Sequence, residues 1–212
     1  MKFLVTAGPT HEHLDPVRFL ANASSGKMGY AIAREARRRG HTVSLISGPT
    51  HLRPPRGIRL TKVISAMSMR QAIKKEIRRS HCLVMAAAVA DYRPAKSSSA
   101  KIRKGKGPRS IALVPNPDIL GEIGRSRWPG VLVGFSLETE TGEARARDKL
   151  RQKRLDFIVQ NAPATIGSDS ITATILFSDG RREILKQVSK AVAARRIVRL
   201  AEDARKERQQ TR

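Results

Sequence analysis

Apolar and polar positions follow two different periods along this chain, and the switches between them mark its elements. Lys2 to Ala7 is a short β-branched and apolar run ending in Gly8-Pro9-Thr10, which predicts a strand and a turn. From Gly26 to Arg39 the spacing is helical: Met28, Ile32 and Ala36 share one face, Arg34, Arg37 and Arg38 lie away from it, and Gly40 stops the helix. Thr42 to Ile46 predicts a second strand closed by Ser47-Gly48-Pro49, and Ile58 to Val63 a third. Ser65 to Arg79 predicts a helix with Ser65 as its N-cap. His81 to Val89 is a continuous apolar strand suited to the centre of a sheet. Asp118 to Arg125 then predicts a helix, Val131 to Leu137 a strand, Gly142 to Arg154 a helix and Phe157 to Gln160 a strand. Ile171 to Phe177 and Arg182 to Val188 flank Ser178-Asp179-Gly180, a hairpin signal, with the hairpin extending the sheet edge or meeting a partner subunit. Ser189 to about Arg208 predicts a terminal helix, with residues 209–212 as a frayed tail.

Strands alternating with helices imply an α/β fold, a Rossmann-like and mostly parallel sheet with helices on both faces. A length of 212 residues suits one domain over residues 1–212, and 40% apolar content with only 4% aromatic builds its core from Val, Ile, Leu and Ala. The stretch 92–110 differs: it holds seven Lys or Arg and no acid, with Ser, Gly and Pro between them, and is expected to be a mobile basic flap. The single cysteine, Cys82, sits in an apolar run as a buried structural thiol and suits a reducing, cytoplasmic setting. No apolar stretch approaches a membrane span, and the N-terminus has no signal-peptide layout.

The net charge of +24 attracts phosphates and nucleic acid without choosing among them. The basic residues are spread along the chain and lack the interleaved aromatics of single-strand binders, so a solvated basic surface is favoured over a nucleic-acid site. In open α/β sheets ligands sit beyond the carboxyl ends of the strands. There Ser24, Ser25 and Gly26 stand at a helix entrance, where backbone N–H groups and the helix dipole suit a phosphate and Lys27 adds charge; N-capping by serine is the plainer alternative. Asp91 could bond a ribose or a magnesium ion, or simply form a turn. Lys101-Ile102-Arg103-Lys104 could clamp a polyphosphate, and Lys149 and Lys153, spaced i and i+4, could reach one anion. The five histidines show no metal-ligand spacing, so no metal ligand is named. Without a Ser/His/Asp or Cys/His set, the inventory of phosphate-binding groups, amides and carboxylates suits activation of a carboxylate by a nucleotide. The alternatives are a nicotinamide oxidoreductase, disfavoured by the missing GxGxxG, and a basic nucleic-acid-binding protein.

Taken together the chain resembles the phosphopantothenoylcysteine synthetase family, the phosphopantothenate–cysteine ligases of coenzyme A biosynthesis. The resemblance is carried by Thr6-Ala7-Gly8-Pro9-Thr10, Asp15-Pro16-Val17-Arg18-Phe19, Ser24-Ser25-Gly26-Lys27-Met28-Gly29, Ser47-Gly48-Pro49, Ala86 to Arg93, Lys101 to Lys104, Asn116 to Leu120, and Val133-Gly134-Phe135 with Glu138-Thr139. It implies a reaction in which the 4′-phosphopantothenate carboxylate attacks the α-phosphate of CTP, with ATP as the alternative nucleotide. The resulting acyl-cytidylate then passes its acyl group to the amine of L-cysteine, with magnesium assisting. It also implies site residues. Asn22 is the catalytic residue, acting on the acyl-nucleotide, and Arg18 joins it in binding the acidic substrate. Gly8, Ser24, Ser25, Gly26, Met85, Ala86, Ala87, Asp91, Lys101, Asn116, Pro117, Asp118, Ile119, Phe135, Lys149 and Lys153 belong to the nucleotide pocket. Relatives are homodimers, and the later strands are the expected interface. Many are fused behind a flavin-dependent decarboxylase; here Met1 precedes the ligase strand directly, so no FMN is expected and a separate decarboxylase is a candidate partner. Ala23 departs from the family's Ser-Asn-His-Ser-Ser run.

Overall fold

A computed structural model describes residues 1–137, 142–162 and 167–210. Its strands are β1 (Lys2–Ala7), β2 (Glu12–His13), β3 (Phe19–Leu20), β4 (Thr42–Ser47), β5 (Arg59–Lys62), β6 (Cys82–Met85), β7 (Tyr92–Pro94), β8 (Leu113–Pro115), β9 (Val131–Leu137), β10 (Phe157–Asn161), β11 (Ser170–Phe177) and β12 (Arg182–Ser189). Its helices are α1 (Lys27–Arg38), α2 (Ala66–Glu76), α3 (Ile119–Arg125), α4 (Gly142–Gln152) and α5 (Lys190–Gln210).

The main sheet runs β12-β11-β10-β9-β6-β1-β4-β5. From β5 to β10 every pairing is parallel, whereas β11 and β12 are antiparallel. Taken in chain order, the parallel strands lie 3-2-1-4-5-6, the doubly wound arrangement in which connections leave β1 in opposite directions. The predicted hairpin therefore extends the sheet edge, through β11 on β10.

Strand alternation divides the core in two. Phe3, Val5 and Ala7 face α1 and α5, together with Val43, Val84, Val133 and Val159. Leu4, Ile46, Leu83, Leu132 and Ile158 face the opposite way, toward α2, α3 and α4. Burying each such side chain contributes about 1.5–3 kcal/mol. Among the described residues no helix is long and apolar enough to cross a membrane.

Several expectations shift. The apolar run His81 to Val89 is strand only from Cys82 to Met85. Beyond it the buried Thr6 and Thr10 hydroxyls accept the N–H groups of Ala87 and Ala90, diverting the backbone from the ladder. The stretch 92–110 is not wholly loop, because Tyr92–Pro94 pairs with Leu113–Pro115 as a small ribbon. The first connection holds the short β2–β3 ladder, which the sequence pattern did not show. Ser65 caps α2 as expected, and the buried Glu12 carboxylate also accepts the N–H of Ala66. Helix α5 runs to Gln210, into the stretch expected to fray, while residues 211–212 lie outside the described residues.

The ends of β1 and β4 and the start of α1 meet backbone to backbone. Gly8 and Gly26 have φ of 74° and 77°, in the left-handed region. A Cβ on Gly26 would lie 2.9 Å from Thr50 Cγ2 and 3.2 Å from the Gly8 nitrogen, and one on Gly48 would lie 1.7 Å from the Pro9 carbonyl oxygen. The Gly48→Ala variant is expected to lose about 3 kcal/mol of stability, read as a lower urea midpoint, because backbone rather than a yielding side chain must move. A midpoint equal to that of the parent would contradict this packing.

Candidate active site

A cleft of about 700 Å³ opens beyond the carboxyl ends of β6, β9 and β10, beside the point where the connections from β1 reverse. This is where a doubly wound sheet places ligands. A second hollow, of about 520 Å³, lies between the β2–β3 ladder and the start of α2 and includes none of the expected site residues.

One wall of the cleft is the Met85–Asp91 segment, held from below by the Thr6 and Thr10 hydroxyls and by the Ala88 N–H donating to the Gly8 carbonyl. Its small alanines leave room for a flat group. The Asn22 side-chain amide donates to the Val89 carbonyl at 3.2 Å, which ties the loop before α1 to this wall. Asn116 braces the far end, where its amide donates to the Ala90 carbonyl at 2.9 Å and its side-chain oxygen accepts from Arg93 at 3.2 Å.

Opposite stand Phe135, Lys149 and Lys153. Lys149 Nζ donates to Ser136 Oγ at 3.3 Å. Lys153 lies just past the end of α4, so the expected helical pair becomes one helical lysine and one turn lysine, both still on the cleft. Asp118 caps α3 by accepting the Gly121 N–H at 3.0 Å, and it pairs with Lys153 at 2.7 Å. Burial pushes the Asp118 carboxyl up, but Lys153, the Gly121 N–H and the Arg125 charge outweigh burial and hold its pKa below the ordinary value.

At the start of α1 serine hydroxyls do meet the helix entrance, but from outside the N-cap position. The N-cap is Gly26, which makes no side-chain cap hydrogen bond, and no acid stands in the first turn. Ser24 Oγ and Ser25 Oγ instead accept from the Gly26 and Lys27 N–H groups, each at 3.4 Å. That leaves a positive helix end facing the cleft, the arrangement that suits a phosphate.

The fold therefore brings Asn22, Ser24, Ser25, Gly26, Met85, Ala86, Ala87, Asp91, Asn116, Pro117, Asp118, Ile119, Phe135, Lys149 and Lys153 onto one cleft. It does not bring Gly8, Arg18 or Lys101 there. Gly8 lies beneath Gly26 as support. The Arg18 guanidinium pairs with Asp15 at 2.5 Å and donates to the Ile102 carbonyl at 2.7 Å. Lys101 is exposed on the flap. The lining also includes Ser136, Leu137, Gly167 and Lys190, which were not among the expected site residues; Ser136 and Leu137 lie within the marked stretch Phe135 to Glu138, whereas Lys190 had no motif around it. Glu138 and Thr139 lie outside the described residues.

Asp15 anchors the flap. Its buried carboxylate accepts from the Arg18 guanidinium, from the Val17 and Arg18 N–H groups, and across the chain from the Ile102 N–H at 3.1 Å. The Arg18 hydrogen bonds, aided by these N–H groups and opposed by burial, hold its pKa well below the carboxylate range. A depressed pKa places this stabilisation above the unfolded carboxylate value and removes it only as pH falls through the folded value, so the anchor holds throughout neutral and mildly acidic pH. Asp15→Asn is expected to speed trypsin cleavage after Lys101 and Arg103 several-fold at pH 7; an unchanged cleavage rate would show the flap to be held elsewhere.

The model of the DNA/pantothenate metabolism flavoprotein C-terminal domain matches residues 1–204. The chain belongs to this family. It is 45% identical to the coenzyme A biosynthesis bifunctional protein CoaBC of Mycobacterium bovis, over 93% of this chain and 51% of that protein. It is 42% identical to CoaBC of Bacillus subtilis, over 88% of this chain and 47% of that protein. The chain thus spans about half the length of the curated relatives it matches. The crystal structure of the C-terminal domain of CoaBC shares its fold with a TM-score of 0.85 at 37% identity, covering 97% of this chain and 96% of that one. A Cab2 mutant in complex with phosphopantothenate-cysteine has the same fold, with a TM-score of 0.82 at 16% identity, covering 98% of this chain and 87% of that one.

Proposed function

We propose that this chain is a phosphopantothenate–cysteine ligase that uses CTP, with ATP as the alternative nucleotide. The observation that carries the reading is the convergence of Asn22, the Met85–Asp91 wall, Asn116 to Ile119, Phe135, Lys149 and Lys153 on one cleft, in a chain of this family. These residues come from separate stretches of sequence, and family membership alone did not require that they meet.

In the first half-reaction a carboxylate oxygen of 4′-phosphopantothenate forms a bond to the α-phosphorus of CTP, and the bond to the β-phosphate oxygen breaks to release pyrophosphate. In the second, the L-cysteine amine attacks the acyl carbon, the acyl–phosphate bond breaks, and CMP leaves with that bond's electron pair while the amine loses a proton. The protein's part is positioning and charge neutralisation. The alanine wall and Phe135 border the base. Lys149 and Lys153 neutralise the phosphates, and the first turn of α1 receives an anionic group. The Asn22 amide, fixed against the Val89 carbonyl, orients the acyl group.

Among the described residues no group of three His, Cys, Asp or Glu could form a protein metal site. Magnesium therefore fits as a counter-ion held mainly by phosphate oxygens, with Asp91 as the carboxylate of the lining nearest to that role, since Asp118 is taken by Lys153 and Gly121. When bound it would neutralise triphosphate charge. Arg18 and Lys101, from the flap region, would reach substrate only in an arrangement other than the one described, across a homodimer or with the flap closed. The homodimer expected through the later strands has β12, the outermost strand, as its surface, with Ile184 exposed on it. A cytoplasmic location belongs to the same reading.

Protein mixed with magnesium, phosphopantothenate, cysteine and CTP or ATP is expected to release pyrophosphate. None with either nucleotide would overturn the reading. Asn22→Asp should still form acyl-nucleotide in a single turnover but stall before the amide, and normal amide formation would remove Asn22 from that role. Lys149→Gln should lower kcat/KM for the nucleotide about tenfold to a hundredfold, the worth of one charged hydrogen bond, in steady-state assays.

A further inference from the structure

One end of the cleft carries two lysines on two helix starts. Lys27 is the first residue of α1 and Lys190 the first of α5, and neither helix has an acid in its first turn. Cations at helix N-termini oppose the helix dipole, so two of them facing one cleft form an unfavourable concentration of positive charge. Asp169, just before β11, is the acid that pairs with Lys27. Lys27 Nζ donates to its carboxylate at 2.7 Å and to the Gly167 carbonyl at 2.9 Å. Lys190 Nζ donates to the Ser168 carbonyl at 2.5 Å, and the Lys190 backbone N–H to the Asp169 carbonyl at 2.9 Å. The two lysines also feel each other: burial, and then the Lys27 charge, lower the Lys190 pKa despite Asp169.

Asp169 is a weak occupant of this position. Its side chain is 91% exposed, whereas that of Lys27 is 34% exposed, so the carboxylate reaches in from solvent to a lysine that is better held. Exposed pairs of this kind contribute little to stability. A phosphoryl group offers more acceptor oxygens and more charge than one carboxylate, and it could bond both lysines beside the first turn of α1.

We infer that Lys27 and Lys190 form a phosphoryl-binding end of the cleft, and that Asp169 is the internal counter-ion which an incoming phosphoryl group replaces. The phosphoryl group is either the triphosphate of the nucleotide or the phosphate monoester of the acid substrate. Only this choice rests on the ligase reading, because the site itself binds inorganic phosphates.

Calorimetric titration with inorganic pyrophosphate, in magnesium, tests it on the full chain. Asp169→Asn is expected to bind about twofold to fivefold more tightly than the parent, the fold-change matching an exposed pair. Lys27→Gln should bind more weakly, and adding Asp169→Asn to it should bring no gain. Unchanged or weaker binding by Asp169→Asn would make the aspartate a simple tether for residues 167–170 and overturn the proposal. So would a gain that persists without Lys27. In turnover assays the same variant should lower KM for either the nucleotide or phosphopantothenate, and the substrate affected names the source; a fall in neither overturns the counter-ion role. Pyrophosphate binding with the expected pattern but no turnover by the parent would sink the ligase reading while leaving the site standing.

Discussion

The cleft depends on a place where backbone must touch backbone. At the head of β1 the chain turns through Gly8, passes under the start of α1 at Gly26, and abuts Gly48 at the head of β4. This contact lets α1 begin directly over the sheet, so that its first turn points into the cleft instead of standing off by a side chain's width. It also frees the Gly8 carbonyl to accept the Ala88 N–H, which pins the wall that follows β6. The loop from Asn22 to Met28 and the wall from Met85 to Asp91 are therefore positioned by the same junction. Gly8, expected in the nucleotide pocket, serves by making that junction possible.

Charge divides between two jobs. The chain has 42 Lys and Arg against 18 Asp and Glu, so most cations cannot have an acid of their own. The scarce acids are shared: Glu202 takes both Arg39 and His41 to join α5 to α1, and Glu122 takes both Arg70 and Lys74 to join α3 to α2. The cleft shares the excess, with Lys27, Lys149, Lys153 and Lys190 on its lining against Asp91 and Asp118 among the described residues. A protein that handles several phosphates at once benefits from such an imbalance, because each bound anion relieves repulsion already present.

The order and type of the major elements were legible in the sequence because each spans enough residues to show a period. The 7-residue β9 was read with its full bounds, and α1, α2 and α5 to within a few residues. What was missed is short or non-local. The ladders β2–β3 and β7–β8 have two and three residues per strand, too few to show alternation. The early end of β6 was hidden because Ala86 to Val89 is as apolar as a strand, and two threonine hydroxyls more than 70 residues away decide its path. A serine was the local expectation for the N-cap of α1, but Gly26 takes that position, close against Gly8, and Ser25 bonds the helix start from one residue before it.

For the site, the sequence marked candidate stretches, Asp91 by its place after an apolar strand and Asn22 and Asn116 by the family resemblance. It also determined the doubly wound fold that sends strand ends to one side. Only the tertiary structure decided which of those residues share a cavity. It placed Arg18 and Lys101 on the flap side, held there through Asp15 in the case of Arg18, and it brought Lys190, more than 160 residues from Lys27 in sequence, to the same end of the cleft. The physical reason is that hydrophobic period and turn chemistry act over a few residues. Which charges meet is set by how two helix starts and a strand entrance pack at a shared sheet edge, and no local pattern encodes that.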